Sequence, residues 1–180
     1  NEMQIVFQDP SAALNPKMTI ADSIGEPLKI RGWSRLDRAR RVTELMDMVG
    51  LSAAQAARYP NEISGGQRQR VVIARALALS PKLIVCDEPV SALDVSIRSQ
   101  VLNILMELQR ELDLSYLFIS HDLSVVRHIA DDVVVMYLGT VVERGKTEDV
   151  YGAPRHPYTE APLSARPPRR GAYPSEPAVA

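Results

Sequence analysis

Residues 63–94, ISGGQRQRVVIARALALSPKLIVCDEPVSALD, limit the possible folds of this chain more than any other stretch. Ser64, Gly65, Gly66 and Gln67 stand at the front of an apolar run, the pattern of a helix N-terminus. Val71, Val72, Ile73, Ala74, Ala76 and Leu77 make that helix apolar nearly all round, so it is expected to be buried on most sides. A break at Ser80-Pro81 leads into residues 83–86, a continuous apolar run expected of a strand covered on both faces of a parallel sheet. The strand ends on adjacent carboxylates, Asp87 and Glu88, and a polar turn, Ser91-Ala92-Leu93-Asp94, follows at once. A strand expected to be covered on both faces points to an α/β architecture, a parallel sheet with helices packed against it.

Each part has a chemical use if the ligand is a nucleoside triphosphate with magnesium. The first N–H groups of a helix lack intrahelical partners and carry positive partial charge. Two glycines let a phosphate approach that backbone, and Ser64 adds a hydroxyl. Successive residues of a strand point to opposite sides, so Asp87 and Glu88 are suited to different tasks. One carboxylate can hold Mg²⁺ through its water shell, while the other orients or deprotonates an attacking water. Either half alone is more often a plain helix cap or a strand that happens to end in acids. It is the combination at this spacing that points to chemistry.

The remaining pattern extends the same architecture. Residues 3–7 read as a short strand, ended by Gln8-Asp9-Pro10. Residues 19–30 read as a helix interrupted by Gly25 and Pro27. Ser34 and Asp37 form a capping box for the next helix, whose buried stripe is Val42, Leu45, Met46 and Val49. Its other face carries Arg38, Arg40, Arg41 and Glu44. Arg68, Arg70 and Arg75 interrupt the helix after Gly66; Arg68 or Arg70 is within reach of a phosphate, and surface ion pairing is the plainer expectation for any of them. Ile97, Val101, Ile104, Leu105, Leu108 and Leu112 mark a long amphipathic helix. Residues 116–119 form a second continuous strand, ending at Ser120-His121-Asp122. Two short strands around Gly139-Thr140 make a hairpin. Strands alternating with helices give a mainly parallel sheet.

Composition narrows the class. Of 180 residues, 46% are hydrophobic and 24% charged, as in an ordinary globular protein with a real core. A formal net charge of −1 offers no basic excess for nucleic acid or anionic lipid. Cys86 is the single cysteine, which excludes a disulfide framework and fits a reducing compartment. Three scattered histidines, His121, His128 and His156, form no ligand cluster of metal-site spacing. No apolar run is long enough to span a bilayer. Prolines crowd beyond Gly152, and the tail, including Pro167 to Arg170, is expected to be loosely structured.

The string SGGQ at Ser64–Gln67, LIVCDE ending at Glu88 and SALD ending at Asp94 closely resemble the signature motif, Walker B strand and D-loop of the ATP-binding-cassette (ABC) ATPases. Within that family the likeness is to the ATPase subunits of bacterial oligopeptide and dipeptide importers, and it covers residues 3–165, including SAALNPKMT, HPYT and LSARP. A departure at Pro162 puts a regular helix there in doubt. The resemblance implies a partial P-loop NTPase fold with residues 1–10 as Q-loop strand and turn, 11–80 as a helical subdomain, 81–150 as the rear of the ATPase core and 151–180 as a C-terminal extension. It assigns Gln8 to the Q-loop and His121 to the γ-phosphate-sensing H-loop. Asp87 and Gln8 would then serve Mg²⁺ and Glu88 would activate water. Ser64, Gly65, Gly66 and Gln67 would bind the ATP held by a second cassette, and Asp94 would link the two sites.

It further implies a second ATPase subunit, transmembrane permease subunits docking on the helical subdomain, a solute-binding protein acting indirectly, and a peripheral position on the cytoplasmic face of the cell membrane. Trp33 and the apolar residues near Ile20 and Leu28 are candidates for the docking groove, or equally for core. No G-x-x-x-x-G-K-[ST] phosphate loop occurs in the chain, and it starts at Asn1 inside an apparent strand. It therefore reads as a fragment expected to be inactive alone. A non-transport ABC protein and a catalytically incompetent partial gene product are the rival readings. Peptide, nickel and glutathione all remain open as solutes.

Overall fold

The computed structural model of the protein describes residues 2–164. It divides into two compact units, one ending at Asp122 and one beginning at Leu123. The first unit holds three strands, β1 (Met3–Val6), β2 (Leu83–Asp87) and β3 (Ser115–Ile119), parallel and in sequence order. On the central strand Val85 pairs with Ile5 on one side and Leu117 on the other, and Cys86 with Val6 and Phe118. The connection from β1 to β2 carries α1 (Pro10–Ala13), α2 (Ile20–Ile30), α3 (Arg35–Met48), two 3₁₀ turns at Ala53–Gln55 and Pro60–Glu62, and α4 (Gly65–Leu77). The connection from β2 to β3 is the single long helix α5 (Val95–Leu112).

Helix α4 is the centre of this unit. Val71, Ile73, Ala74 and Leu77 are fully buried, as the all-round apolar pattern predicts, because α4 packs on α1, α2, α3, α5 and β1. Among the described residues its three arginines do not pair with acids. Arg68 donates to the carbonyls of Pro60 and Ile63, Arg70 to those of Val49 and Gly50, and Arg75 to that of Ala13 at 2.8 Å. Each therefore satisfies loop or helix-end carbonyls that the local backbone leaves unpaired, rather than making a surface ion pair.

Helix α2 runs unbroken through Gly25 and Pro27, against the expected interruption. Gly25 earns its place by packing: a Cβ there would lie 3.2 Å from Cγ2 of Val42 on α3, so its absence lets the two helices close together. Ser34 caps α3 by accepting from the N–H of Asp37. The return arm of the expected box is absent, because the Asp37 carboxylate takes the Ser34 hydroxyl at 2.6 Å instead. Val42, Leu45, Met46 and Val49 are the buried stripe, as predicted.

The sheet differs from expectation on one point. Ile84 and Cys86 are fully buried, but Leu83 and Val85 are only half-buried, and Ile5 and Leu117 on the same side are exposed. One face of the three strands carries the core, and the other presents an apolar row.

The second unit contains α6 (Leu123–Ile129), the antiparallel pair β4 (Asp132–Tyr137) and β5 (Thr140–Lys146), α7 (Thr147–Gly152) and α8 (Pro157–Ser164). The hairpin turn falls one residue earlier than the expected Gly139-Thr140: Leu138 and Gly139 form it with φ of 48° and 78°, the left-handed geometry that matches strand twist, and Thr140 already pairs with Tyr137. Glu143 accepts the N–H groups of Arg155 and His156 and so fixes the entry to α8. Residues 157–164 are helical, so the doubt raised by Pro162 and the expectation of a loose tail from 152 onward are both corrected there. Pro157 starts that helix, where its missing N–H costs nothing. The Pro167–Arg170 segment lies outside the described residues.

Candidate functional site

Parallel register brings three sequence-distant side chains together. Gln8 lies two residues past the end of β1, Glu88 one past β2 and His121 two past β3. Because the strands are parallel and in register, these positions share the carboxyl end of the sheet, where open α/β sheets gather their ligand sites. Gln8 Nε2 donates to Glu88 Oε2 at 3.1 Å, and His121 Nδ1 lies 2.8 Å from Glu88 Oε1. An ionised carboxylate only accepts, so this contact suits a hydrogen on Nδ1, and Nε2 is the outer atom of His121. The Glu88 side chain is 23% exposed and that of His121 74%, so the imidazole reaches from a covered acid into solvent.

Glu88 is held there by an uncommon backbone. Its φ is +46°, left-handed for a residue with a Cβ, while its N–H still donates to Ile119 O at 3.0 Å. The ladder to β3 is therefore kept and the chain turns immediately afterwards. Ser91 closes the turn, donating from both its N–H and its hydroxyl to the Glu88 carbonyl. The simple strand alternation expected of Asp87 and Glu88 stops at Asp87, the last residue of β2, on the half-exposed side.

The residues 64–67 form a second group. Ser64 caps α4 by accepting from Gln67 N–H at 3.2 Å, and Gln67 Oε1 accepts from Ser64 N–H at 2.9 Å, a complete capping box. Ser64 is exposed, Gly65 half-buried and Gly66 buried. Gly66 has a packing reason to be glycine, because a Cβ there would collide with Cγ2 of Ile97 on α5. Gly65 would meet only ordinary contacts, from Arg68 and from Leu93. The turn of residues 64–67 thus sits against residues 93 and 97, next to Asp94, which is exposed at the N-cap of α5 without a side-chain capping bond.

The donor set beside Glu88 suits magnesium. With Nε2 turned to Glu88, Gln8 has its amide oxygen left for a cation, and Asp87 supplies a partly exposed carboxylate nearby in sequence to Glu88. One or two protein oxygens completed by water and phosphate is how Mg²⁺ is usually held, so the residues fit. Among the described residues no group of three His, Cys, Asp or Glu side chains forms a metal cage, and no helix is long and apolar enough to cross a membrane.

One residue absent from the sequence reading also shapes the site. Arg98 braces its turns by meeting Asp122 and the Leu93 carbonyl, and its only sequence signal is the helical spacing that sets it one turn after Asp94. Between α2 and α3 lies a groove of about 900 Å³, lined by Met18, Ala21, Gly25, Ile30, Val42 and Met46 among others. Ile20 and Leu28, candidates for such a groove, are instead fully buried core, and Trp33 is 43% exposed.

Residues 1–91 match the family model described as ABC transporter. The chain is 58% identical over 167 residues to the dipeptide transport ATP-binding protein DppF of Haemophilus influenzae, covering 92% of this chain and 51% of that protein. It is 57% identical over 169 residues to the oligopeptide transport ATP-binding protein OppF of Salmonella typhimurium, covering 93% and 51%. The chain thus spans about half the length of these relatives, and 27% of OppD of Mycobacterium bovis, to which it is 55% identical. Among solved structures it is similar to the dimeric post-hydrolysis state of the ATP-binding cassette MJ0796 bound to ADP and Pi, with TM-score 0.71 and 31% identity over 82% of this chain and 63% of that one. A further likeness is to cbiO1 from Clostridium perfringens, part of the ABC transporter complex cbiONQ, with TM-score 0.78 and 28% identity over 84% and 60%. An α/β unit with a parallel sheet accords with these findings: the chain belongs to the ABC transporter family.

Proposed function

We propose that this chain is part of an ATP-hydrolysing subunit that energises a bacterial importer of peptides or related small solutes. The observation that carries this reading is the Glu88 carboxylate held between Gln8 and His121 at the carboxyl end of three parallel strands. Glu88 is the general base: released from one of its two donors, it accepts a proton from a water aimed at the γ-phosphate. His121 with hydrogen on both ring nitrogens donates its outer Nε2–H to the γ-phosphate, and Gln8 orients the water through its amide. Asp87 and the Gln8 amide oxygen would hold Mg²⁺, which would supply neutralisation of phosphate charge.

Ser64, Gly65, Gly66 and Gln67 act on nucleotide held by a second cassette, using the unpaired N–H groups at the start of α4. Asp94, exposed beside that turn, lies at the same junction. The groove between α2 and α3 supports contact with permease subunits, since its apolar floor is rimmed by both charge signs, including Lys29, Arg35, Asp22 and Glu26. The names of the relatives support a peptide solute, and a subunit that spends ATP on import would work at the membrane's cytoplasmic face. The test is Glu88→Gln in the complete polypeptide assembled with its permease. ATP hydrolysis is expected to fall about 10²–10⁴-fold with ATP binding retained; undiminished turnover removes Glu88 as the base.

A further inference from the structure

We propose that Arg98 is a positioning residue that ties the turn of residues 91–94 to the turn carrying His121, so that the glycine turn and the Glu88 cluster respond to each other. Arg98 lies one turn into α5, where its N–H donates to the Asp94 carbonyl at 2.8 Å. Its guanidinium spans two different segments. Nη1 meets Asp122 Oδ2 at 2.7 Å, and Nη2 meets the Leu93 carbonyl at 3.3 Å. Asp122 directly follows His121, and its N–H donates to Ser120 Oγ at 3.0 Å, so the His121 turn is held from within and from α5. Leu93 in turn lies against Gly65. A continuous path of contacts therefore runs from Gly65 through Leu93, Arg98 and Asp122 to His121 and Glu88.

The chemistry suits a brace. A planar guanidinium serves two acceptors in fixed, different directions, which a single ammonium point charge does not. The Arg98 and Asp122 side chains are 25% and 31% exposed, so the pair is less screened than a surface pair. Displacement of the 91–94 turn by anything that touches it pulls on Asp122 and thereby on the His121 ring that holds Glu88.

This inference rests on the ATPase reading for its kinetic consequence but not for its structural one, and the experiment separates the two. Arg98→Ala, Arg98→Lys, Asp122→Asn and the double variant are made in the complete polypeptide. Turnover is measured against ATP, and amide hydrogen exchange without nucleotide. Arg98→Ala and Asp122→Asn are each expected to lower kcat about tenfold or more with KM within about threefold, and Arg98→Lys to recover part of the loss. The double variant is expected to be no worse than the poorer single, since both break one contact. Exchange is expected to quicken about tenfold in both the 91–95 and 120–122 segments in either variant. Unchanged kcat, additive losses, or exchange that rises in one segment alone overturns the brace. If the parent polypeptide does not hydrolyse ATP, the functional reading fails and exchange alone decides the brace. Asp122→Asn, which keeps the side-chain shape, serves if Arg98→Ala does not fold.

Discussion

Gly66 and Ile97 occupy one another's space: the only residue type that leaves room at position 66 for the Ile97 Cγ2 methyl is the one without a Cβ. The start of α4 and the start of α5 are therefore seated directly on each other, independent of any ligand. Gly66→Ala is expected to cost about 1–3 kcal/mol by overpacking. Urea unfolding of Gly66→Ala in the parent and in an Ile97→Ala background measures this. The glycine effect should shrink when the methyl is gone, and an equal cost in both backgrounds refutes the contact.

Backbone strain at Glu88 gives a second prediction. Its φ of +46° is poorly tolerated by any residue with a Cβ. Glu88→Gly and Glu88→Ala lose the same hydrogen bonds to Gln8 and His121, yet the glycine variant is expected to be the more stable by about 1 kcal/mol. Paired denaturant titrations check the sign.

The buried thiol of Cys86 makes stability depend on alkaline pH. Burial pushes it from its ordinary 9.0 up to about 12, and the Tyr116 hydroxyl is raised too, first by burial and then by the neighbouring Cys86 charge. The folded thiol keeps its proton where the unfolded one has lost it. Its contribution is thus complete below about pH 9 and drains away as pH climbs toward 12, about 4 kcal/mol in all at roughly 1.4 kcal/mol per pH unit. Cys86→Ala should flatten the fall in unfolding free energy between about pH 9 and 11, whatever it does to stability at pH 7.

Arg75 joins α4 to the segment that follows Gln8 through a 2.8 Å bond to the Ala13 carbonyl. Arg75→Met keeps much of the stem and loses the charge. It is expected to cost about 1.5–3 kcal/mol and to speed hydrogen exchange in residues 9–14. Unchanged exchange there would mean the bond holds nothing in place.

The exposed row of Ile5 and Leu117, 44% and 55% accessible beside half-buried Val85, is a self-association hazard for the 180-residue chain. Ile5→Lys with Leu117→Lys is expected to reduce light scattering at micromolar concentration while the melting temperature changes little. Persistent scattering places the association elsewhere.

Local pattern settled the elements. The stripe from Val42 to Val49, the all-round apolar α4, the Ser34 and Ser64 caps and the hairpin turn at Gly139 follow from side-chain period and from turn chemistry, which act over a few residues. Motif spelling likewise pointed to Gln8, Glu88 and His121. What tertiary structure decided were the meetings across sequence: the parallel register that sets Gln8 and His121 on the two oxygens of Glu88, the left-handed φ that aims that acid, the collision that makes Gly66 obligatory, and the carbonyls that Arg68, Arg70 and Arg75 seek out. A backbone carbonyl is the same group at every residue, so an arginine's partner leaves no mark in the sequence. Only the folded path of the chain brings the acceptor within reach.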